Sequence, residues 1–599
     1  MYKNFQQEHC DPLHPYLPAF HGVFEIPISV GDKKRRMLAY VPQDVRESTT
    51  GILVLGENGK TADDLLRDSG WCTLARQEEC KEKFIVFFLE PYNGTWNIRE
   101  SYGEPDGDVA YVTAAALRAA ERWFFCIHEA KIYLTGCREG GILANMAALW
   151  NPAYYSGVVS VGGSTIEPDY LNAAQSDYCL NLDGFEDPSH REDIRKGDIP
   201  MPAWIIDDPE VPYGTDNGIL NYWCKACGTE HTPRQLSTDQ IEYYRTSQTF
   251  WYPNQEREAY RVCYSVIPHS SENYATSLLR RIWKDFLYQQ RRWMSSPGGD
   301  LRVTRDPVRD LNMEYHYEEY DGWMREWYVY VPKAVKKHPG QKVPLVLAMH
   351  GYTCTGEIYI GNSGWCDVAD RYGFIVIFPS ALHGHVCMPE QGQDPNWAPL
   401  PAWNVFNESD RPSELRFFHY LLDRMEKDYS IDLTRIYATG HSWGSLMVQL
   451  LGLDIADRLA AIAPCSGVFF GDSFDKITLQ PNIQKGIGGL PIWMFWGTEE
   501  NWLIPTYPAH NNQTGRTLNF WLRRNGMSEQ IPETWENIPC TANGRFFDHR
   551  IEQNNCPPVW YTQVDYMPHA TMPEMSFRIW EEFFRKFSRI DGRIVLDNR

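Results

Sequence analysis

The apolar positions of this chain fall into short continuous runs separated by longer stretches of helical spacing. Between residues 343 and 496 the runs are "VPLVLAMH", "FIVIF", "RIYATG", "LAAIAPC" and "LPIWMFW". Short apolar runs without polar alternation are expected of strands buried on both faces of a parallel sheet. Between them, "RPSELRFFHYLLDRMEKDY" and "WGSLMVQLLGLDIADR" carry apolar residues at helical spacing. Strand and helix in alternation predict an α/β fold: a mostly parallel sheet flanked by helices, with ligand sites at the carboxyl ends of the strands.

The same pattern occurs twice. "MLAYVPQDV" (37–45) resembles "WYVYVPKAV" (327–335), and "GILVLGENGKT" (51–61) resembles "PLVLAMHGYT" (344–353). "DSGWCTLARQEECKEKFIVFFLEP" (68–91) matches "NSGWCDVADRYGFIVIFPS" (362–380), and "KIYLTGCREGG" (131–141) matches "RIYATGHSWGS" (435–445). "VIPHSSENYATSLLRRIWKDFL" (266–287) matches "YMPHATMPEMSFRIWEEFF" (566–584). One order and a nearly constant offset predict a tandem duplication. The expected domains are 1–295 and 300–599, with a seam in the Ser-Ser-Pro-Gly-Gly turn chemistry of 289–305.

Composition narrows the classes. With 599 residues, 43% hydrophobic and 23% charged, the chain is an ordinary globular sequence long enough for more than one core. A net charge of −21 and the lack of a Lys/Arg-rich run argue against nucleic acid as a partner. No stretch has the length of an apolar membrane span, and the first twenty residues lack a basic start and apolar core, so a cytoplasmic protein without membrane association is expected. Fifteen scattered cysteines read as reduced, mostly buried thiols. Cys224, Cys227 and His231 offer three metal ligands where a structural zinc normally takes four, so no metal is expected. The sequence does not fix the oligomeric state; a homo-oligomer is compatible with it.

"RIYATG-HSWG-SLMVQLL" reads as strand, sharp turn, helix, with Gly-x-Ser-x-Gly at residues 440–444. Such a turn lifts the Ser442 hydroxyl clear of the sheet, with a helix N-terminus behind it favouring developing negative charge. A serine hydroxyl needs a base and the base an orienting acid. His569, in a short loop before the last helix, fits the base. Glu499 and Glu500, after the strand "LPIWMFW", both fit the acid. Oxyanion donors are expected from the N–H of Trp443 and from that of Tyr352 after "LAMHG", with Thr353 as the alternative donor and His350 bracing the loop. Trp403, Asn404, Trp443 and Trp502 are candidate pocket residues, with Thr353, while Trp71 and Trp365 read as core.

The segments "LVLAMHGYTCTG", "GWCDVADRYGFIVIFPSA", "AWNVFN", "IDLTRIYATGHSWGSLM", "AAIAPCSG", "LPIWMFWGTEE" and "MPHA" resemble the α/β-hydrolase esterases related to polyhydroxybutyrate depolymerases and feruloyl esterases. The resemblance spans most of residues 320–585 and implies two tandem α/β-hydrolase domains. It implies hydrolysis of carboxylic esters through an acyl-serine, without cofactor, on small-molecule or polymeric ester substrates: feruloyl or acetyl carbohydrate esters, or polyhydroxyalkanoate-like polyesters. The family's Gly-Thr-x-Asp carries over onto Gly497-Thr498-Glu499-Glu500 and selects Glu500, with Glu in place of the usual Asp and Trp496 in place of a usual His. A serine peptidase of similar fold and a non-catalytic binding or scaffold protein are the rival readings.

The first repeat keeps both elbow glycines, but Arg138 stands where the serine should be. A guanidinium cannot attack a carbonyl. His269 survives, the acid region retains only Asp207, Asp208 and Glu210 without Gly-Thr, and Asn58-Gly59 aligns with the oxyanion-loop His-Gly. The expectation is a catalytically inactive copy, with Cys137 a buried thiol and Arg138 paired with one of those acids.

Overall fold

The computed structural model describes residues 21–46, 49–77, 83–120, 127–178, 194–209, 218–245, 259–268, 276–293, 299–384, 400–409, 411–470, 473–478, 489–500, 503–528, 531–533 and 538–596, with Leu13 and Pro15. Two ten-stranded sheets organise them. The first contains β1 (Gly22–Val30), β2 (Lys33–Val41), β3 (Thr49–Leu55), β4 (Phe84–Leu89), β5 (Ile127–Cys137), β6 (Gly157–Val161), β7 (Ala203–Asp207), β8 (Arg234–Ser237), β9 (Gln240–Tyr244) and β10 (Arg261–Val266). Their order across the sheet is β1-β2-β4-β3-β5-β6-β7-β10-β9-β8. A hairpin of β11 (Gln290–Trp293) and β12 (Asp300–Val303) follows.

The second sheet contains β13 (Glu314–Tyr320), β14 (Trp323–Tyr330), β15 (Val343–Met349) and β16 (Ile375–Pro379). After a short pair, β17 (His383–Gly384) and β18 (Leu400–Pro401), come β19 (Ile431–His441), β20 (Ala461–Cys465), β21 (Ile492–Gly497), β22 (Thr541–Asn543), β23 (Phe546–Ile551) and β24 (Val559–Val564). Their order, β13-β14-β16-β15-β19-β20-β21-β24-β23-β22, repeats that of the first sheet strand for strand. A final hairpin, β25 (Phe587–Ile590) and β26 (Arg593–Leu596), takes the place that β11 and β12 take after the first sheet.

The middle six strands of each sheet are parallel, and antiparallel strands close both edges. Successive residues of a central strand feed opposite faces. Leu345, Leu347 and Met349 of β15 enter one core cluster, and Val346 and Ala348 the other. In β3, Leu53 and Leu55 separate from Ile52 and Val54 in the same way. Burial on both faces is why these strands read as unbroken apolar runs. The amphipathic stretches of the second repeat form the helices Glu414–Asp428 and Trp443–Asp454. Trp71 and Trp365 are both buried core residues.

The two halves meet through the β11–β12 hairpin. Trp293 joins a core cluster of the second half that includes Ile358 and Ile360, and its ring lies 4.0 Å from where a Cβ on Gly361 would sit. The outer residues of the corresponding β25–β26 hairpin are uncovered: Ile590, in the place of Trp293, is 46% exposed against 4% for the tryptophan. Among the described residues no helix is long and apolar enough to cross a membrane.

Candidate active site

β19 ends at His441 and the helix Trp443–Asp454 begins at once, leaving Ser442 as the single residue of the turn. Its backbone sits at φ 54° and ψ −116°. A non-glycine residue there carries strain of about 1–3 kcal/mol, which only its surroundings can impose. They do so by close backbone approach. A methyl group on Gly440 would lie 2.7 Å from the Gly444 carbonyl oxygen, and one on Gly444 would lie 2.4 Å from that of His350. The Ser442 N–H donates to the Cys465 carbonyl at 2.8 Å, anchoring the turn to β20.

Ser442 Oγ lies 2.7 Å from His569 Nε2. His569 Nδ1 lies 2.6 Å from Glu500 Oε2. A carboxylate only accepts, so the imidazole proton sits on Nδ1, and Nε2 is left to take the serine proton. Glu500 is fully buried, and its Oε1 accepts from the Gly497 N–H at 2.7 Å and from the Ser466 hydroxyl at 2.7 Å. The neighbouring Glu499 is turned elsewhere, with the Thr498 hydroxyl 3.4 Å from its Oε1. Geometry thus separates two carboxylates that pattern alone leaves equal. Together the three side chains can deprotonate a hydroxyl as it attacks a carbonyl.

The loop after β15 lies against the elbow: a Cβ on Gly351 would be 3.1 Å from Ser442 Cβ. The Thr353 N–H donates to the Pro401 carbonyl at 2.9 Å, which removes it as an oxyanion donor and leaves Tyr352 and Trp443 as the candidate pair. His350 is fully buried under this loop. Its Nε2 accepts from the Ala381 N–H at 2.9 Å, so its Nδ1–H donates to the Gly351 carbonyl at 2.7 Å. Burial holds its pKa down at about 4, so it braces the loop as a neutral imidazole.

The pocket expectations need correction. Trp403 is buried, its indole N–H donates to the His350 carbonyl at 2.8 Å, and its own carbonyl accepts from the Trp443 indole at 2.8 Å. It holds the loop to the elbow rather than lining a pocket. Asn404 is also buried and closes a local turn with the Glu408 backbone. Buried Thr353 stands at positive φ in the loop. Trp502 lies outside the described residues. Half-buried rings gather instead around the Trp443 indole: Tyr352 at 6.2 Å, Phe406 at 5.7 Å and Phe470 at 5.9 Å between centroids. Phe406 and Phe470 come from loops, where no periodicity marks a side chain.

The elbow of the first half has the same backbone. Arg138 sits at φ 50° and ψ −119°, and its N–H donates to the Val161 carbonyl at 2.8 Å. A methyl on Gly140 would lie 2.3 Å from the Gly56 carbonyl oxygen. Strand register fixes the correspondence: Leu55 pairs with Gly136 as Met349 pairs with Gly440. Gly56 therefore matches His350 and Asn58 matches Tyr352, two residues away from the sequence alignment of Asn58-Gly59 on His350-Gly351. The Asn58 N–H donates to Glu139 Oε2 at 3.2 Å, so a carboxylate from the residue after the elbow fills the place of an oxyanion donor's ligand. Arg138 does form an ion pair, but with Glu57 at 3.1 Å rather than with the acids after β7. Asp207 accepts from the Ser164 hydroxyl at 2.9 Å. His269 and Glu210 lie outside the described residues. Cys137 is half-buried rather than buried, and its partial desolvation pushes the thiol up to about 12, unsuited to a nucleophile.

Among the described residues no group of three or more His, Cys, Asp or Glu side chains is arranged to hold a metal. Cys227 instead contacts the Met201 carbonyl at 3.2 Å, and burial pushes its thiol up to about 12.

No family model matches the chain. It is 28% identical over 175 residues to a bifunctional acetylxylan esterase/xylanase of Neocallimastix patriciarum, covering 29% of this chain and 22% of that protein. It is 28% identical over 144 residues to acetylxylan esterase A of Aspergillus awamori, covering 24% of this chain and 42% of that protein. The chain thus spans less than half the length of these curated relatives. Among solved structures, the acetyl xylan esterase of Aspergillus awamori aligns at 15% identity and a TM-score of 0.31, over 46% of this chain and 98% of that one. A ferulic acid esterase aligns at 16% identity and a TM-score of 0.26, over 37% of this chain and 91% of that one.

Proposed function

We propose that the chain is a serine carboxylic-ester hydrolase whose second half carries the chemistry, acting on acetyl or feruloyl esters of carbohydrates. The observation that carries this reading is the unbroken hydrogen-bonded line from Ser442 through His569 to Glu500, at 2.7 and 2.6 Å. Ser442 Oγ attacks the ester carbonyl while His569 Nε2 takes its proton. The oxyanion is held by the Trp443 and Tyr352 N–H groups, and the imidazolium by Glu500. His569 then returns the proton to the departing alcohol. A water molecule, deprotonated by the same imidazole, attacks the acyl-serine and releases the acid. Each step is carried by side chains and backbone N–H groups of this chain. The partial matches to acetylxylan esterases support the acyl and sugar classes.

The first half, on this proposal, is a duplicated and catalytically inactive copy. It has neither the nucleophile nor an open pair of oxyanion donors.

Turnover of p-nitrophenyl acetate, methyl ferulate and acetylated xylan by wild type and Ser442→Ala tests the reading. Removal of the nucleophile is expected to cost on the order of 10⁴-fold or more in kcat. Equal rates in the two proteins would exclude Ser442 as the nucleophile and the ester-hydrolase reading with it.

A further inference from the structure

We infer that Ser466 is a positioning residue for the proposed reaction: its hydroxyl locks the Glu500 carboxylate in the rotation that presents Oε2 to His569. The inference rests on the catalytic reading of Ser442, His569 and Glu500.

Ser466 follows β20 and occupies a backbone conformation with φ 53°. An L side chain is strained there, and glycine is the residue that fits without cost. The first half shows which residue occupies the slot where the elbow carries no serine. His441 pairs with Cys465 as Cys137 pairs with Val161, so Ser466 and Gly162 are the same position. Gly162 has φ 66°, and its N–H donates to the Ile206 carbonyl at 2.7 Å, as the Ser466 N–H donates to that of Phe495 at 2.6 Å. The fold thus imposes the conformation in both halves. In the second half the serine in this slot faces the buried Glu500 carboxylate.

That serine hydroxyl has one proton. Its two neighbours are Glu500 Oε1 at 2.7 Å and the Ala570 carbonyl at 3.4 Å. The shorter, charge-assisted contact takes the proton. With the Gly497 N–H, Oε1 then has two donors. The carboxylate is held at both ends, Oε2 by the His569 Nδ1–H and Oε1 by two donors, of which the Ser466 hydroxyl is the one that ties it to the end of β20. Nothing in the "CSG" sequence marks this serine, and its role becomes visible only in the comparison of the halves.

The test uses Ser466→Gly, which restores the residue of the first half and removes strain, so the variant should fold. With p-nitrophenyl acetate, kcat is expected to fall about 10-fold or more, the scale of a lost hydrogen bond to a charged group. KM should stay within about two-fold and the melting temperature should not fall. On a Glu500→Ala background the same substitution should change kcat less than about two-fold, because Ser466 acts only through Glu500. An unchanged kcat in Ser466→Gly, or an equal loss with Glu500 already removed, would overturn the inference. So would a drop in melting temperature parallel to the loss of rate. Labelling of Ser442 by a fluorophosphonate separates the levels: an unreactive wild type sinks the ester-hydrolase reading, whereas equal labelling rates in wild type and Ser466→Gly sink only the role of Ser466.

Discussion

At the two elbows, Arg138 and Ser442 differ by only 4° in φ, at 50° and 54°, yet one side chain lies in an ion pair with Glu57 and the other on His569 Nε2. The strained turn persists where no nucleophile requires it. Its cause must therefore lie in what both halves share: glycines pressed against carbonyls, and a strand that runs straight into a helix. A strained backbone residue at a strand end is thus a poor marker of chemistry by itself. The chemistry lies in what surrounds it, and there the halves part company. Ser466 becomes Gly162, Tyr352 becomes Asn58 with its N–H already taken by Glu139, and the braced His350 becomes Gly56. The two halves thus share one backbone frame and differ in the side chains placed around it.

This contrast can be broken from the side of architecture. Gly140→Ala and Gly444→Ala each drive a methyl group to within 2.5 Å of a backbone carbonyl oxygen, at 2.3 and 2.4 Å respectively. Each should destabilise the half that holds it by about 3 kcal/mol, the upper end for overpacking because backbone cannot step aside. Urea unfolding followed by tryptophan fluorescence reads this. A tolerated Gly140→Ala would mean that the first elbow has relaxed and that the scaffold is not shared after all.

His350 sharpens the comparison through pH. Its ordinary pKa of 6.5 falls to about 4 in the folded chain. The unfolded chain binds the extra proton between those values, so the stability of the second half is fully present above pH 6.5 and is lost as pH falls toward 4, by up to about 3 kcal/mol. Gly56, its counterpart, titrates nothing. Urea melts at pH 7.5 and pH 5 should show this loss in wild type and a smaller one in His350→Gln; identical pH dependence would remove His350 as the source.

The smallest effect is expected at Arg138→Ala. Arg138 is 41% exposed on its side chain, so loss of its pair with Glu57 should change stability by less than about 1 kcal/mol. Ester turnover should stay within a few-fold of wild type. A large fall in kcat would show that the first elbow serves the second site.

Much of this is legible in the amino-acid sequence. The central strands declared themselves because burial on both faces leaves no polar position to break the run. The edge pairs β1–β2, β13–β14 and β22–β23 were not read, since strands with a solvated face mix polar residues among the apolar ones. Ser442 and His569 stood out because each is flanked by a turn of fixed form. The choice between Glu499 and Glu500 needed the family resemblance, and in the structure it is Glu500 that meets His569. Trp403 and Asn404 are pocket candidates in the sequence, but a position in the chain does not say which way a side chain points, and both are buried. Ser466 carries no sequence signal because its partner, Glu500, is distant along the chain. Glu57, the ion-pair partner of Arg138, does not stand out in the sequence because the alignment of the loops is two residues out of step with the strand register.

The contact between the halves depends on which helix receives the hairpin. The Trp293 ring seats where Gly361 leaves room, beside Ile358 and Ile360. The equivalent helix of the first half, Ala62–Asp68, begins at Thr61 as its partner begins at Thr355, and it offers Asp64, Leu66 and Arg67 at those three places. Arg67 is exposed there and paired with Asp64 and Asp68. A second chain presenting Ile590 of its last hairpin would meet a guanidinium and two carboxylates instead of an apolar seat. The seat that receives Trp293 in the second half is thus apolar where its counterpart in the first half is charged, so the fit between hairpin and helix is particular to this one junction.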